Sequence, residues 1–171
     1  MNGKDTDLEE KVGYYGEELI LKMTQLGLGT CWVGATYDDS KFTIPEKEKL
    51  VCIILIGKIQ KSLKDNVIRR VASSKNKKDS KERIVTKEEI PQWIMEGLEA
   101  IRMAPSAMNT QKPMLYYKDS DMTMRVPKDA KWDMVDLGIA KKHFELGTKR
   151  GKFELGNDGK FIIFNVDEAE N

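Results

Sequence analysis

The 171-residue sequence has two cysteines, one histidine and no apolar run longer than the six residues from Val51 to Ile56. One histidine, without carboxylates at ligand spacing, cannot anchor a metal, so we predict no metal site. Cys31 and Cys52 form no CxxC pair, and we interpret both as reduced thiols of the core. The apolar runs are too short to span a membrane and no signal peptide opens the chain, so we expect a cytoplasmic protein.

The chain also has no large excess of positive or negative charge, because 29 basic residues nearly balance 28 acidic ones. No global field therefore recruits nucleic acid or an anionic membrane. The lysines between Lys75 and Lys81 have no aromatic neighbours on which bases could stack, which disfavours a nucleic-acid module.

Motifs of hydrolases and nucleotide-binding loops are absent: the chain has no GxSxG, HExxH or GxxxxGK[ST]. The single histidine, His143, follows two lysines on a predicted helix, and we expect it to be exposed or to cap that helix. No residue of the chain is assigned a catalytic role from these patterns.

Length and periodicity indicate one α+β domain over residues 1–171, with a charged connecting segment over 58–85 that resembles a solvated linker. Apolar spacing predicts a helix over 12–28 that ends in a glycine-rich turn, followed by a loop. The run over 51–56 predicts a strand covered on both faces.

The second half of the chain alternates helix and hairpin patterns. Thr86 and Glu89 resemble a capping box for a helix that must stop at Pro105. Strands are expected over 114–117 and 122–126, a helix over 136–146, and two short strands around the turn at 157–159.

The stretch "APSAMNTQKP", residues 104–113, groups small and amide side chains where the chain should enter its core. It is either a polar loop with its own hydrogen bonds or a cradle for a flat polar ligand. Asn109 and Gln111 each carry a donor and an acceptor that suit the edge of a heterocycle. Ser106 and Ala107 are small enough for close backbone approach.

This stretch resembles the Ala-Pro-Ser-x-x-Asn-x-Gln-Pro segment of the FMN-dependent nitroreductase family. "LGLGTCWVGA", residues 26–35, is similar to that family's Leu-Gly-x-Gly-Thr-Cys-Trp-x-Gly segment. Because the second segment precedes the first, the chain looks like the divergent subgroup of putative TM nitroreductases. The helix over 136–147 also resembles the C-terminal part of that subgroup.

The resemblance implies a nitroreductase-like fold, with a central, mainly antiparallel sheet flanked by helices and part of the N-terminal half lacking. It implies an FMN-dependent oxidoreductase that passes hydride from NAD(P)H to nitroaromatics, quinones or similar acceptors. A homodimer is implied, with FMN between two subunits and Trp93, Tyr14 or Tyr15 at the interface. The residues implied to contact the flavin are Pro105, Ser106, Ala107, Asn109, Gln111, Val33 and Gly34.

The chain departs from ordinary nitroreductases in having no N-terminal Arg-x-Ser-x-Arg segment for the FMN phosphate. A dianion needs charge-assisted donors or a helix N-terminus, and Arg69, Arg70, Lys75 and Lys112 are alternatives among which the sequence does not choose. A competing hypothesis is a catalytically degenerate flavin or nucleotide binder, or a scaffold, in which Asn109 and Gln111 satisfy each other and nearby backbone.

Overall fold

A computed structural model of the chain describes residues 7–59 and 79–164. Three α-helices dominate it: α1, Leu8–Gln25; α2, Gln92–Met103; and α3, Asp133–Thr148. Helix α1 carries Glu9 and Glu10 in its first turn, where the helix dipole favours negative charge. Gly27 follows its end at φ 75°, as the predicted glycine turn requires.

Seven short strands form three small sheets: β1, Leu28–Val33; β2, Ile53–Lys58; β3, Ile84–Val85; β4, Met114–Lys118; β5, Asp121–Arg125; β6, Gly151–Phe153; and β7, Phe161–Ile163. Strands β1 and β2 pair antiparallel as a two-stranded ribbon, with Leu28 opposite Lys58. The predicted hairpin is confirmed as β4 and β5, and β3 adds to β4 in parallel. The pair β6 and β7 is antiparallel, as predicted.

The main core lies where α2 and α3 meet the hairpin and the last two strands. Ile94, Leu98 and Ile101 form the buried face of α2, as its spacing predicts. Phe144 of α3 makes edge contacts with Phe153 and Phe161, whose ring centroids lie 5.4 Å away in each case. This aromatic cluster anchors α3 to the C-terminal strands.

Helix α3 is buried on nearly every side, because α1 packs along it opposite the main core. Gly13 and Gly138 permit the close approach, since a Cβ at either would lie 2.0 Å from a backbone oxygen of the other helix. Lys141 is fully buried there, and its Nζ donates to Glu10 Oε1 at 2.6 Å and to the carbonyls of Glu154 and Gly156 at 2.8 Å. The interface therefore combines glycine contacts with a buried ion pair.

Three predictions about the elements were wrong. The segment after the predicted helix over 12–28, expected to form a loop, begins instead with strand β1, Leu28–Val33, because Ile53–Lys58 supplies a full antiparallel partner. The strand after Val51 is not covered on both faces, since Leu55 is 57% and Ile56 45% exposed. The Thr86 hydroxyl accepts the Glu88 N–H at 3.0 Å in a local turn, and α2 begins later, after Pro91.

Two predicted interface aromatics are used within this chain. Trp93 stacks on Phe161 with ring centroids 6.0 Å apart, and the Tyr14 hydroxyl donates to Glu145. Tyr15, in contrast, is 62% exposed. At the end of the predicted connecting segment, residues 80–83 form a short 3₁₀ helix with Ser80 and Arg83 buried, while 60–78 lie outside the described residues.

Candidate functional site

The stretch over 104–113 leaves α2 as an extended turn and then a short 3₁₀ helix, Ala107–Asn109. Met108, Asn109 and Gln111 have φ values of 52°, 54° and 46°, in the left-handed region that favours glycine. Such conformations cost of order 1 kcal/mol each for ordinary residues, and they persist where the surroundings hold them. The loop is therefore shaped by its contacts rather than by local preference.

Gln111 supplies four of those contacts from a buried position. Its amide nitrogen donates to the carbonyls of Arg102, at 3.3 Å, and Ala104, at 3.1 Å, and its amide oxygen accepts from Arg83. Its backbone N–H donates to Ser106 Oγ at 2.9 Å. The Gln111 side chain thus fastens the loop to the end of α2, as a polar loop with internal hydrogen bonds would do.

The other segment that resembles the family, residues 26–35, contains strand β1 and the two residues after it. The Trp32 indole N–H donates to Glu17 Oε2 at 3.2 Å, which fixes the ring against α1. Gly34 lies under Trp132, and a Cβ there would be 2.8 Å from the Trp132 ring. Only glycine allows this approach, and Trp32 and Trp132 both line the cavity next to Gly34.

Both segments line one cavity of about 340 Å³, near the lower end of the usual size range of ligand sites. Five of the seven residues predicted to contact a flavin share it: Val33, Gly34, Pro105, Ser106 and Ala107. Asn109 and Gln111 are outside its lining, and Gln111 borders a much smaller pocket behind the loop. The fold therefore brings together two segments that lie about 70 residues apart in the sequence.

Sequence reasoning did not select Trp132 and Asp136, which complete the cavity from the first turns of α3. Asp136 is 3% exposed, and its two carboxylate oxygens accept the Ala107 N–H at 2.9 and 3.1 Å. Burial raises the Asp136 pKa to about 6, with Asp133 adding to the shift and the Ala107 N–H and Lys112 opposing it. The sequence signal that could have identified this pair is an acidic residue four positions after a tryptophan at the start of a predicted helix, a spacing that places both side chains on one face.

His143 is neither exposed nor a helix cap, which corrects the prediction. It is buried between α3 and α1, and its Nε2 shares a 2.8 Å hydrogen bond with Glu17 Oε1. Because Glu17 also holds the Trp32 indole, His143 supports a wall of the cavity through one intermediate residue.

The cysteines divide between the surface and the cavity. Cys31 is exposed on the open face of the ribbon, so the prediction of a core thiol was wrong for this residue. Cys52 is half-buried and lines the cavity, and burial raises the pKa of its thiol. A thiol with a raised pKa is a poor nucleophile at neutral pH.

Of the cations considered for a phosphate, Lys112 is already occupied. Its Nζ pairs with Asp129 and lies 3.1 Å from Asp133 Oδ1. Arg69, Arg70 and Lys75 lie outside the described residues. Asp136 is the one ionised group along the cavity wall in residues 7–59 and 79–164.

Other features of the described chain do not compete with this cavity. A larger, more open groove of about 880 Å³ runs along α2 past Glu96 and Met103, and it contains no residue of the two matched segments. Within 7–59 and 79–164, no group of three or more His, Cys, Asp or Glu side chains could hold a metal. No helix among these residues is long and apolar enough to cross a membrane.

Comparisons with known families and with solved structures both identify nitroreductases. The model of the family described as "Putative TM nitroreductase" matches residues 1–148. The chain is similar to a crystal structure described as a putative nitroreductase from Thermotoga maritima MSB8, with a TM-score of 0.65 and 22% sequence identity. The match covers 93% of this chain and 65% of that one, and at this identity it shows the fold. A comparison with curated proteins gives no match.

Proposed function

The chain belongs to the putative TM nitroreductase family, and from that premise we propose that it is an FMN-dependent oxidoreductase. It would transfer hydride from NAD(P)H, through the flavin, to nitroaromatic, quinone or similar acceptors. The observation that supports this most is the shared cavity, which residues of two separate motifs line together with Trp132.

The residues present suit the ring system of a flavin. Two indoles and the small residues Gly34 and Ala107 offer flat apolar walls, and Ser106 offers a hydroxyl. When bound, the flavin supplies the redox chemistry, and the protein supplies binding, orientation and polarity. In this proposal Pro105, Ser106 and Ala107 form one wall of the cavity, and Val33 and Gly34 form the other.

Asn109 and Gln111 take different roles in the proposal from those implied by the resemblance. Gln111 acts through the loop, because its amide is committed to Arg83 and two carbonyls. Asn109 has the left-handed φ that asparagine tolerates best among non-glycine residues, so it holds the turn in shape. Neither side chain belongs to the cavity lining.

The FMN phosphate has no cationic partner in the lining formed by the described residues. Lys112 would have to leave two carboxylates to bind it. We therefore assign the phosphate contacts to groups outside this lining, supplied by another part of the chain or by a second subunit.

A homodimer is part of the proposal, and we assign the ribbon of β1 and β2 to its interface. Leu55, on the face of the ribbon away from α1, is 57% exposed, and Ile59 beyond the end of β2 is 48% exposed, which leaves large apolar side chains in water. Two-stranded ribbons are marginal alone and gain stability when another layer covers them. A second copy that covers this ribbon would lie close to the Val33 and Gly34 side of the cavity.

The experiment that tests the function is the visible absorption spectrum of the purified protein, before and after addition of FMN and removal of the excess. Flavin bands that elute with the protein and bleach with NADH or NADPH are the expected result. The choice of nucleotide and an acceptor screen follow from the same preparation.

The alternative is a catalytically degenerate binder or scaffold of this family. It is favoured by the internal hydrogen bonding of Gln111 and by the acidic rather than basic character of the cavity wall. A colourless protein that also fails to retain added FMN would select this alternative. Bound flavin that NADH and NADPH cannot reduce would indicate a binder without activity.

A further inference from the structure

We propose that Asp136 and Ser106 recognise the imide or lactam edge of the flat ring in the cavity. Asp136 accepts a ring N–H, and Ser106 donates its hydroxyl proton to the adjacent ring carbonyl. This edge pair deepens the proposed function and rests on it, because it assumes that the cavity holds a flavin-like ring.

The first step of the argument is the incomplete set of partners of Asp136. Among residues 7–59 and 79–164, both of its oxygens share a single hydrogen-bond donor, the Ala107 N–H, although the residue is 3% exposed. A carboxylate has about four acceptor positions, and burying a charge with few donors is costly. A ligand N–H in the cavity would supply the donor that water supplies to an exposed acid.

Ser106 provides the complementary donor. Its Oγ accepts the Gln111 N–H at 2.9 Å, so its own proton is left to point elsewhere. Ser106 and Asp136 both line the cavity, and the hydrogen bond from Ala107 to Asp136 keeps the two residues adjacent. An acceptor beside a donor matches a ring edge on which N–H lies beside C=O.

The walls favour a flat guest over a flexible one. Trp32 is held by Glu17, and Trp132 packs on Gly34 so closely that no side chain fits between them. A flat ring bound in the cavity would present one edge to Asp136, which lines the cavity together with both indoles. An anionic edge would instead meet a like charge.

The charges that face Asp136 from neighbouring elements are few. Asp133 on the same helix adds to its negative field, and Lys112, from the loop before β4, opposes it while bound to Asp129 and Asp133. Arg83 and Asp136 both border the small pocket behind the loop, where Arg83 donates to the Gln111 amide oxygen. On α1, Glu10 and Glu17 are engaged by Lys141 and His143.

The test compares lumiflavin, which has the imide N–H and no phosphate, with its N3-methyl derivative, by fluorescence titration. We expect the methyl derivative to bind at least about tenfold more weakly at neutral pH, as loss of a charge-assisted hydrogen bond predicts. The affinity for lumiflavin should fall about tenfold between about pH 7.5 and pH 5, because about a tenth of Asp136 is ionised one unit below its pKa. The methyl derivative should show no such dependence.

Asp136→Asn is the matched variant, since asparagine can still accept the Ala107 N–H but turns a donor towards the ring. It should bind lumiflavin at least about tenfold more weakly and with a flat pH profile. Asp121→Asn, on the exposed hairpin, removes the same charge far from the cavity lining and should change neither value. If Asp136→Asn fails to fold, the two-ligand pH profile of the unmodified chain decides alone.

Equal, pH-independent binding of both ligands would overturn the edge pair and leave the flavin function intact. Binding of neither lumiflavin nor FMN would overturn both.

Discussion

The Asp136 carboxyl group is stabilised in its neutral form by folding, because burial raises its pKa from 3.8 to about 6. Between these two values the folded state binds more protons than the unfolded state, so this residue makes the free energy of unfolding fall as pH rises through that window. Well above about pH 6 the full free-energy cost of burying the ionised carboxylate is present, and an uncharged side chain of the same shape does not have this cost.

Asp136→Asn should therefore raise the free energy of unfolding at pH 7 by about 1–3 kcal/mol, with little gain below pH 4. Urea denaturation of the ligand-free protein at both pH values measures it. A loss of stability at pH 7 would mean that the carboxylate is better solvated than its burial implies. The same substitution that stabilises the empty protein is expected to weaken its hold on a ring N–H.

Substitutions in the loop over 104–113 can distinguish the roles of its two amide side chains, Asn109 and Gln111. Gln111→Leu should lower the free energy of unfolding by about 2–4 kcal/mol, because two carbonyls at the end of α2 lose their donors and Arg83 loses an acceptor. Asn109→Gly keeps the left-handed backbone at φ 54° and should cost under about 1 kcal/mol while loosening the turn and weakening flavin retention.

Thermal unfolding followed by circular dichroism measures both effects, and flavin retained after gel filtration gives the second readout. Equal stability of the two variants would remove Gln111 from its structural role. Unchanged flavin content in Asn109→Gly would remove Asn109 from the site.

At the scale of residues, the sequence singled out a loop that lines the cavity but did not show which way the side chains of that loop face. The amide pattern of Asn109 and Gln111 is compatible with binding a ligand and with bonding the loop to itself. The choice depends on Arg83 and on the carbonyls of α2, which lie near the loop only in the folded chain. Asp136 was missed because its burial arises from the packing of α1, α2 and the loop together.

At the scale of elements, the buried contact between α1 and α3 holds two neighbouring lysines in different environments. Lys141 is 1% exposed and binds the fully buried Glu10, whereas Lys142, although only 10% exposed along its side chain, binds Glu18, which is 61% exposed and shares the pair with water. Breaking a buried pair from one side leaves a charge without compensation, while an exposed pair contributes little.

Lys141→Met should lower the free energy of unfolding by about 3–5 kcal/mol, and Lys142→Met by under about 1 kcal/mol. Guanidinium denaturation of both variants gives the comparison, and adding Glu10→Gln to Lys141→Met should recover part of the loss. Similar effects of the two single substitutions would contradict the buried pair.

The helices and hairpins were predicted well, because their periodicity is a local property. Strand β1 was missed and the exposure of β2 was misjudged for a common reason. A strand's burial depends on what covers it, and the ribbon packs on α1 through one face only, where Trp32 and Ile54 contact Gly16. An apolar run such as that over 51–56 has the same sequence pattern whether its second face is covered by its own chain or by another copy, so the pattern cannot predict which.

At the scale of the whole molecule, the open face of the ribbon is the place to test assembly. Leu55→Lys should shift the proposed homodimer towards monomer by at least about tenfold in dissociation constant, because a charge replaces an apolar side chain in the interface. Leu146→Lys, a half-exposed leucine on α3 away from the ribbon, should leave assembly unchanged.

Light scattering coupled to gel filtration over a range of concentrations measures both variants. A wild-type chain that stays monomeric throughout would contradict the homodimer. A Leu55→Lys variant that dimerises normally would move the interface elsewhere on the molecule.

The enclosure of α3 also constrains how this protein can change over evolutionary time. Gly138 packs against the backbone of Glu10, Lys141 forms an ion pair with Glu10, and His143 shares a hydrogen bond with Glu17. Helix α3 therefore contacts α1 at three positions along its length. Replacing Lys141 or His143 alone leaves the buried carboxylate of its partner on α1 without that contact, so we expect the partner to be replaced as well. Among relatives that keep this packing, positions 10 and 141, and positions 17 and 143, should therefore vary together as pairs.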